Sequence, residues 1–432
     1  MLVRVRRFIL GRRKCTLRGP TRIRARPFVT FSRSAEEYPE SYSLKTQRIP
    51  AALRTALEKL FRQYPRQSLQ RDGVAFNRYL ANRRTLTVNG LSGEWENVGQ
   101  SGGPLTYRKY EGVLYAATWL PSSYAAIRRV LHEINAREGN FQPKSLLDFG
   151  SGIGTSVWAA HDLFGDTIKE YVCIDDSEEM NGLASYLLNG GEDKTDQLVP
   201  DHYISGMRFR RLLSSTFENS YDIVIALYTL GDLADLRQKR AVIRELWKQT
   251  GKFLVLLERG NLEGSRNILL ARETILKKIR SQDSSNVGFV YAPCTHDLVC
   301  PHTTLVTKLP CHFGQRAELS LVETDSDYYK SYGYKLEKFS YVVFKKGDER
   351  PENSNYSLHR VIGPEKRRSG HVVCKLCTQQ GHLVQTVVPK SKGRTLYKHS
   401  RQLKWGDHLL QPRGVELKFL DLYPRSSHEE GS

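Results

Sequence analysis

The run from Ser145 to Thr155, S-L-L-D-F-G-S-G-I-G-T, constrains this chain more than any other stretch. Apolar residues lead into Asp148, and glycines follow at Gly150, Gly152 and Gly154. This pattern reads as a buried strand, a tight turn and a helix start. Glycine tolerates the unusual backbone angles of such a turn, and without a Cβ it lets a ligand approach the main chain closely. The spacing is not the G-x-G-x-x-G of dinucleotide-binding folds. The next strand-like run, residues 171–174, ends in Asp175. That lies about twenty residues beyond the last glycine, where a ribose-binding carboxylate is expected.

An acidic residue two positions before G-x-G-x-G is typical of proteins that bind S-adenosylmethionine on a Rossmann-like sheet. Asp148, Gly150, Gly152, Gly154 and Asp175 are therefore the expected cofactor-binding residues. From Ser145 onward the pattern alternates. Strands are expected at 145–149, 171–174, 221–227 and 253–258, with helices at 156–164, 178–188 and 236–250 between them. Such alternation implies an α/β fold with a parallel sheet and right-handed crossovers. Ligands sit at the carboxyl ends of those strands, where the glycine turn and Asp175 would meet. Residues 339–345, F-S-Y-V-V-F-K, are expected to form a late edge strand of the same sheet.

The formal net charge of +20 points to a polyanionic partner, with RNA or DNA first. No apolar run approaches the roughly 20 residues that span a bilayer. Residues 1–34 carry ten arginines, one lysine and no carboxylate, which is the signature of a mitochondrial transit peptide. A basic arm retained for RNA binding is the other reading of that segment. Residues 35–142 read as mostly helical, with Pro50 at a helix start. A break is expected around Leu120-Pro121-Ser122-Ser123, with a serine as N-cap. Basic runs at Lys277-Lys278-Ile279-Arg280, Lys345-Lys346 and Lys366-Arg367-Arg368 are candidate phosphate contacts or plain solvated surface.

Five of the seven cysteines fall in two places. Cys294, Cys300 and Cys311 lie in a segment rich in proline and histidine, and Cys374 and Cys377 lie in G-H-V-V-C-K-L-C-T-Q-Q-G-H. A reducing compartment does not favour disulfides. Zinc sites usually show paired C-x-x-C knuckles. A C-x5-C-x10-C group with one more ligand far downstream is a poor zinc template and fits an iron-sulfur cluster held by four thiolates better. Buried structural thiols are the other reading.

Four blocks carry a resemblance that runs from about residue 115 to 410. They are W-L-P-S-S-Y-A-A from Trp119; L-D-F-G-S-G-I-G-T-S-V-W-A-A from Leu147; L-L-E-R-G-N-L-E-G followed by Ala271-Arg272; and the cysteine segment, ending near Lys404-Trp405-Gly406-Asp407. In these blocks the chain resembles the methyltransferase-like family of mitochondrial small-ribosomal-subunit assembly factors. The resemblance implies a Rossmann-like class I methyltransferase sheet, bound S-adenosylmethionine and a 4Fe-4S cluster. It also implies association with small-subunit rRNA, ribosomal proteins and other assembly factors in the mitochondrial matrix, with no membrane partner. Carried over by position, the cluster ligands are Cys294, Cys300, Cys311 and one of the later pair. The family's last cysteine stands just before a short turn containing glycine, which here selects Cys377.

The expected layout is a transit peptide (1–34), a helical N-terminal region (35–142), and a methyltransferase-like domain (143–346) with a cysteine-rich cluster insertion at 290–315. A small C-terminal β domain that completes the cluster site (347–423) and a disordered tail (424–432) follow. Catalysis is a separate question. The D/N-P-P-Y/F motif of amino-methylating enzymes is missing from Ala226-Leu227-Tyr228-Thr229-Leu230-Gly231-Asp232. Pro293-Cys294 lies too far past the fifth strand for a cytosine-5 nucleophile. Asp232 and Glu258 are possible bases, and no catalytic residue is assigned. A scaffold is the expected role, and an active rRNA methyltransferase is the alternative.

Overall fold

The computed structural model of the chain describes residues 41–81, 85–88, 95–98, 108–192, 203–213, 220–280, 287–304, 309–323, 331–347, 350 and 355–422. The expected transit peptide and tail lie outside the described residues.

The N-terminal region contains helices α1 (Ala51–Phe61), α2 (Arg66–Ala81), α3 (Lys109–Thr118) and α4 (Leu120–Glu138). In α1 the buried residues Leu53, Ala56, Leu57 and Leu60 repeat at helical spacing and give the helix one apolar face. The region is not only helical. An antiparallel hairpin joins β1 (Thr85–Val88) to β2 (Trp95–Val98). The short T-L-T-V and W-E-N-V segments carry the β-branched and aromatic residues that favour strands. The break between α3 and α4 falls at Trp119, and Pro121 sits in the first turn of α4, where its missing N–H costs nothing. The expected serine cap is absent: no side chain caps α4, and Ser122 and Ser123 are buried.

The main sheet follows. Its strands are β3 (Ser145–Phe149), β4 (Glu170–Ile174), β5 (Met207–Arg210), β6 (Tyr221–Leu227), β7 (Thr250–Arg259), β8 (Gly288–Ala292), β9 (Phe313–Ala317) and β10 (Lys335–Lys346). They lie in the order β5-β4-β3-β6-β7-β10-β8, and β9 also pairs with β10. Strands β5 to β7 run parallel to β3, and β10 is antiparallel to all three of its neighbours. The chain thus moves outward from β3 in one direction and then in the other, which opens a crevice at the carboxyl ends of the strands.

Side chains alternate between the two faces of this sheet. Leu146, Ile223, Val255 and Leu257 enter one core with α4, α5 (Thr155–Phe164) and α6 (Glu178–Leu188). Leu147, Val224, Leu254 and Leu256 enter a second core with α7 (Leu236–Lys248) and α8 (Leu262–Arg280). The expectation that 339–345 is an edge strand is corrected, because β10 lies inside the sheet between β7 and β8. Phe339, Tyr341 and Val343 feed one core while Val342 and Phe344 feed the other. A continuous apolar run is what coverage of both faces demands.

A second, antiparallel sheet of six strands follows. It comprises β11 (Tyr356–Val361), β12 (Lys366–Arg368), β13 (His371–Cys377), β14 (Leu383–Pro389), β15 (His408–Pro412) and β16 (Phe419–Asp421). With the helix Arg394–Gln402 it encloses a third apolar core around Val372, Cys374, Leu376, Leu396 and Leu409.

Candidate cofactor cleft and cysteine cluster

At the carboxyl ends of β3, β4, β6 and β7 lies a cleft of about 580 Å³. The glycine turn forms its floor. The N–H groups of Gly150 and Ser151 both donate to the Ile174 carbonyl, at 2.7 and 3.0 Å, which stitches the turn to the end of β4. Asp175 completes the stitch. Its Oδ2 accepts from the Gly152 N–H at 2.8 Å and its Oδ1 from the Ser177 N–H at 3.0 Å. Burial raises the Asp175 pKa, and these two backbone donors pull against that rise. An ionised carboxylate has about four acceptor sites, so two remain for a ligand's hydroxyls.

The five expected cofactor residues do not all play one part. Gly150, Gly152 and Asp175 line the cleft, whereas Gly154 and Asp148 do not. Gly154 sits in the left-handed region (φ 79°) as the N-cap of α5, so its glycine serves the helix start. At Gly150 the protein itself demands glycine. Its φ is 68°, and a Cβ there would overlap the Thr229 side chain. Asp148 is fully buried on β3, and neither carboxylate oxygen has a hydrogen-bond partner. Burial pushes its pKa up to about 7; Ser156 draws it down without meeting hydrogen-bond geometry.

The segment after β6 closes the other side. Tyr228 has φ 56° and is the only non-glycine with positive φ among the described residues. Backbone held in that region costs on the order of 1–3 kcal/mol, and its surroundings must enforce it. Here the Tyr228 hydroxyl donates to Glu337 Oε1 at 3.3 Å, and the Thr229 hydroxyl lies 3.1 Å from both the Phe149 and Leu227 carbonyls. Glu258 Oε1 accepts from the Leu230 and Gly231 N–H groups at 2.8 and 3.3 Å. Burial raises the Glu258 pKa although Lys239 opposes it. Both possible bases, Asp232 and Glu258, line the cleft, and Glu258 also holds the loop through Oε1.

The cysteine segment runs between β8 and β9, so both ends of the expected 290–315 insertion are strand. Its thiols converge with one from the second sheet. Cys377 Sγ lies 3.5 Å from His296 Nε2. The thiols of Cys294, Cys300 and Cys311 each raise the Cys377 pKa, after burial, which is the larger cause. Burial and then Cys294 push Cys300 up to about 12, and Cys311 rises through burial, then Cys300 and Cys294. Cys374 is apart from this group. It stands three residues from Cys377 on β13, so the pleat sends the two side chains to opposite faces. Cys374 is fully buried in the third core.

Among the described residues, no group of three or more His, Cys, Asp or Glu is arranged to hold a metal ion. Four thiolates are the donor type and number that an iron-sulfur centre takes. Arg272, on α8, is the residue that spacing could not reveal. It is buried, and its Nη2 donates to the His296 carbonyl at 2.9 Å. Burial lowers its pKa, but Cys294, Cys300 and Asp297 outweigh that and hold it above the ordinary range. The only sequence signal was its place in the Ala271-Arg272 block.

Comparison with known proteins places the chain in a family. The human mitochondrial ribosome assembly protein METTL17 is 36% identical over 307 residues, which cover 71% of this chain and 64% of that protein. The chain therefore spans somewhat under two thirds of the length of that relative. The mitochondrial ribosome assembly protein RSM22 of Saccharomyces cerevisiae is 23% identical over 74% of this chain and 70% of its own length. Among solved structures, the magnesium protoporphyrin IX methyltransferase of Synechocystis PCC 6803 with bound SAM aligns at 12% identity, covering 57% of this chain and 87% of that one with a TM-score of 0.32. The family model for mitochondrial small ribosomal subunit Rsm22 matches residues 109–410. That match takes in the glycine turn, the cysteine segment and most of the second sheet, and the chain belongs to the Rsm22 family.

Proposed function

We propose that this chain is a small-ribosomal-subunit assembly factor of the mitochondrial matrix. In this reading it binds S-adenosylmethionine, a 4Fe-4S cluster and small-subunit rRNA, and it acts as a scaffold rather than a catalyst. The family match over residues 109–410 carries the assembly role, since curated relatives at 36% and 23% identity are named mitochondrial ribosome assembly proteins. Among the described residues, no helix is long and apolar enough to cross a membrane.

S-adenosylmethionine, when bound, supplies a cationic sulfonium, an ammonium group and a ribose with two hydroxyls. Gly150 and Gly152 offer backbone without side chains, and Asp175 offers acceptors for the hydroxyls. Once ionised, above about pH 7, the unpartnered carboxylate of Asp148 would give the turn a negative field towards a cationic ligand. Cys294, Cys300, Cys311 and Cys377 would hold the cluster, and the Arg272 guanidinium would offset the negative charge of four thiolates. The ligands come from both sides of the β10–β11 connection, so the centre would tie the second sheet to the first.

The scaffold reading rests on the segment after β6. Where amino-methylating enzymes hold the acceptor nitrogen, Thr229 packs on Gly150 and Tyr228 turns inward to Glu337. One oxygen of Glu258 is occupied by two backbone donors. The test is anaerobic purification with iron and sulfide measured, followed by incubation with methyl-labelled cofactor and small-subunit rRNA. Bound iron and cofactor without multiple-turnover transfer are expected. Clear turnover would reject the scaffold reading in favour of a methyltransferase, and stoichiometric zinc would reject the cluster.

A further inference from the structure

We propose that the exposed face of the helix Arg394–Gln402, with the turn before it and the β12–β13 hairpin, is the surface on which the chain grips the RNA phosphate backbone. This rests on the rRNA-binding reading above and adds where that binding occurs. Arg394, Lys398 and Arg401 are all exposed. Their i, i+4, i+7 spacing sets them on one helix face, about 6 and 10 Å apart along the axis. The opposite face is spent on the fold, since Leu396 and Leu403 are buried in the third core.

The charge continues beyond the helix. Lys390 and Lys392 occupy the exposed turn that leads into it. The Lys390 N–H donates to the Gly370 carbonyl at 3.0 Å, which brings the tip of the β12–β13 hairpin alongside. Lys366 and Arg368 are exposed on that hairpin. Between Asn355 and Leu422 there are thirteen lysines and arginines against four carboxylates. Two of the four are engaged elsewhere: Asp407 is buried and accepts from the Tyr42 and Lys404 N–H groups, and Glu365 pairs with Arg367 at 2.7 Å.

Members of the other basic runs have partners in the fold, whereas on this helix Arg401 meets only the uncharged Tyr397 hydroxyl, at 3.1 Å. Lys345 pairs with Glu138 at 3.3 Å, Lys277 with Glu273 at 2.7 Å, and Lys346 lies over the Trp247 ring. Helix α7 also shows a basic row, Arg237, Arg240 and Arg244, but Glu245 stands beside it. An RNA backbone fits this face better than a lipid surface. A membrane-surface helix presents its apolar side outward, and here that side is buried.

The test compares three full-length proteins: wild type, R394E/K398E/R401E, and R237E/R240E/R244E, which carries the same charge change on α7. Affinity for a small-subunit rRNA fragment is measured across a salt series, with thermal melts to verify folding. The helix variant is expected to lose about tenfold or more at physiological salt, and its log–log salt slope should fall by about 2 to 3, since each lost phosphate contact removes about 0.7–0.9. The α7 variant should bind like wild type. Should the reversal unfold the helix, R394Q/K398Q/R401Q replaces it, with the same loss expected. Equal losses in the helix and α7 variants, or an unchanged slope in the helix variant, overturn the proposal. Binding of phosphatidylcholine–phosphatidylserine vesicles through these three residues, with RNA affinity unchanged, overturns it too. If wild type binds no RNA, the rRNA reading itself fails.

Discussion

Arg360 Nη2 donates to Glu133 Oε1 at 2.7 Å, and both side chains are only 1% exposed. The pair joins β11 of the second sheet to α4 of the N-terminal region. The same guanidinium donates through Nε to the carbonyl of Pro293 at 2.6 Å, one residue before Cys294, and through Nη1 to the Gly406 carbonyl. Glu133 also accepts from Arg129 and Arg137, each at 3.3 Å, and from the Tyr341 hydroxyl at 2.8 Å. One carboxylate therefore faces three buried or half-buried guanidiniums. Aromatic faces take part of the remaining charge, with Arg137 lying 3.7 Å from the Tyr291 ring centroid.

Removing Glu133 should be costly. Glu133→Gln keeps the shape but leaves three cations without their counter-charge, and breaking a buried pair from one side costs about 3–5 kcal/mol. Burial alone would raise the Glu133 pKa, but Arg360, Arg129 and Arg137 outweigh it and hold the carboxyl well below the usual range. A depressed folded pKa contributes stability that is complete above the unfolded value of about 4.3 and is lost as pH falls below it. Urea midpoints should thus drop sharply for the variant at pH 7, and the gap to wild type should narrow towards pH 3. Equal midpoints at neutral pH would remove Glu133 from this role.

Asp148 should behave in the opposite sense. Burial pushes its carboxyl up to about 7, so the folded protein holds a proton that the unfolded chain releases near pH 4. Stability without ligand then falls as pH rises from about 4 to 7. Asp148→Asn abolishes that titration. It should raise the melting temperature of the ligand-free protein at pH 8 and change it little at pH 5. If a cationic cofactor binds above this residue, the same variant should also weaken S-adenosylmethionine at pH 8. A variant less stable than wild type at pH 8 would contradict the assignment.

Much of the first sheet was legible because each strand carries its own signal. The bounds of β3 and β6 agree with the sequence reading residue for residue, and so does helix α6. Ser177 caps α6 by accepting from the Met180 N–H at 3.1 Å, a local arrangement that sequence encodes. What failed was non-local. The position of β10 inside the sheet depends on pairing with β8, whose five residues lie between α8 and the cysteine segment and resemble any short apolar run. The hairpin of β1 and β2 has only four residues per strand and lies between two helical stretches, so its period-2 signal is short. In the cleft, the glycines were legible, but the reason for Gly150 was not, because Thr229 meets it from far along the chain. The contacts of Arg272 and Arg360 were hidden for the same reason, since a lone arginine carries no sign of burial.

Asp175 can be tested as both tether and ligand group. Asp175→Ala removes the acceptors for the Gly152 and Ser177 N–H groups as well as those available to a ribose. Calorimetry should show S-adenosylmethionine binding weakened by about tenfold or more, which corresponds to about 1.4 kcal/mol. Asp175→Asn retains one carbonyl oxygen and should recover part of the loss. Unchanged affinity in the alanine variant would mean that the ribose binds elsewhere.

The two late cysteines offer the sharpest discrimination. Cys377 pairs in register with Arg360, on the face of β13 that meets His296 and the three thiols of the cysteine segment. Cys374 pairs with Thr386 and faces the third core among Val372, Leu376 and Val388. After anaerobic reconstitution, Cys377→Ser and Cys300→Ser should lose iron and the visible absorbance of a cluster, while Cys374→Ser should keep both. Because a bound centre adds its binding energy to folding, loss of the cluster should also lower stability. It should not separate the two sheets, since the Arg360–Glu133 pair and the Arg360 bond to Pro293 hold them together without any metal. Limited proteolysis should therefore cut Cys377→Ser faster than wild type between Gln315 and Arg368. Cys377→Ser combined with Glu133→Gln should be cut faster still. Retention of full iron by Cys377→Ser, or loss of it in Cys374→Ser, would reverse the ligand assignment.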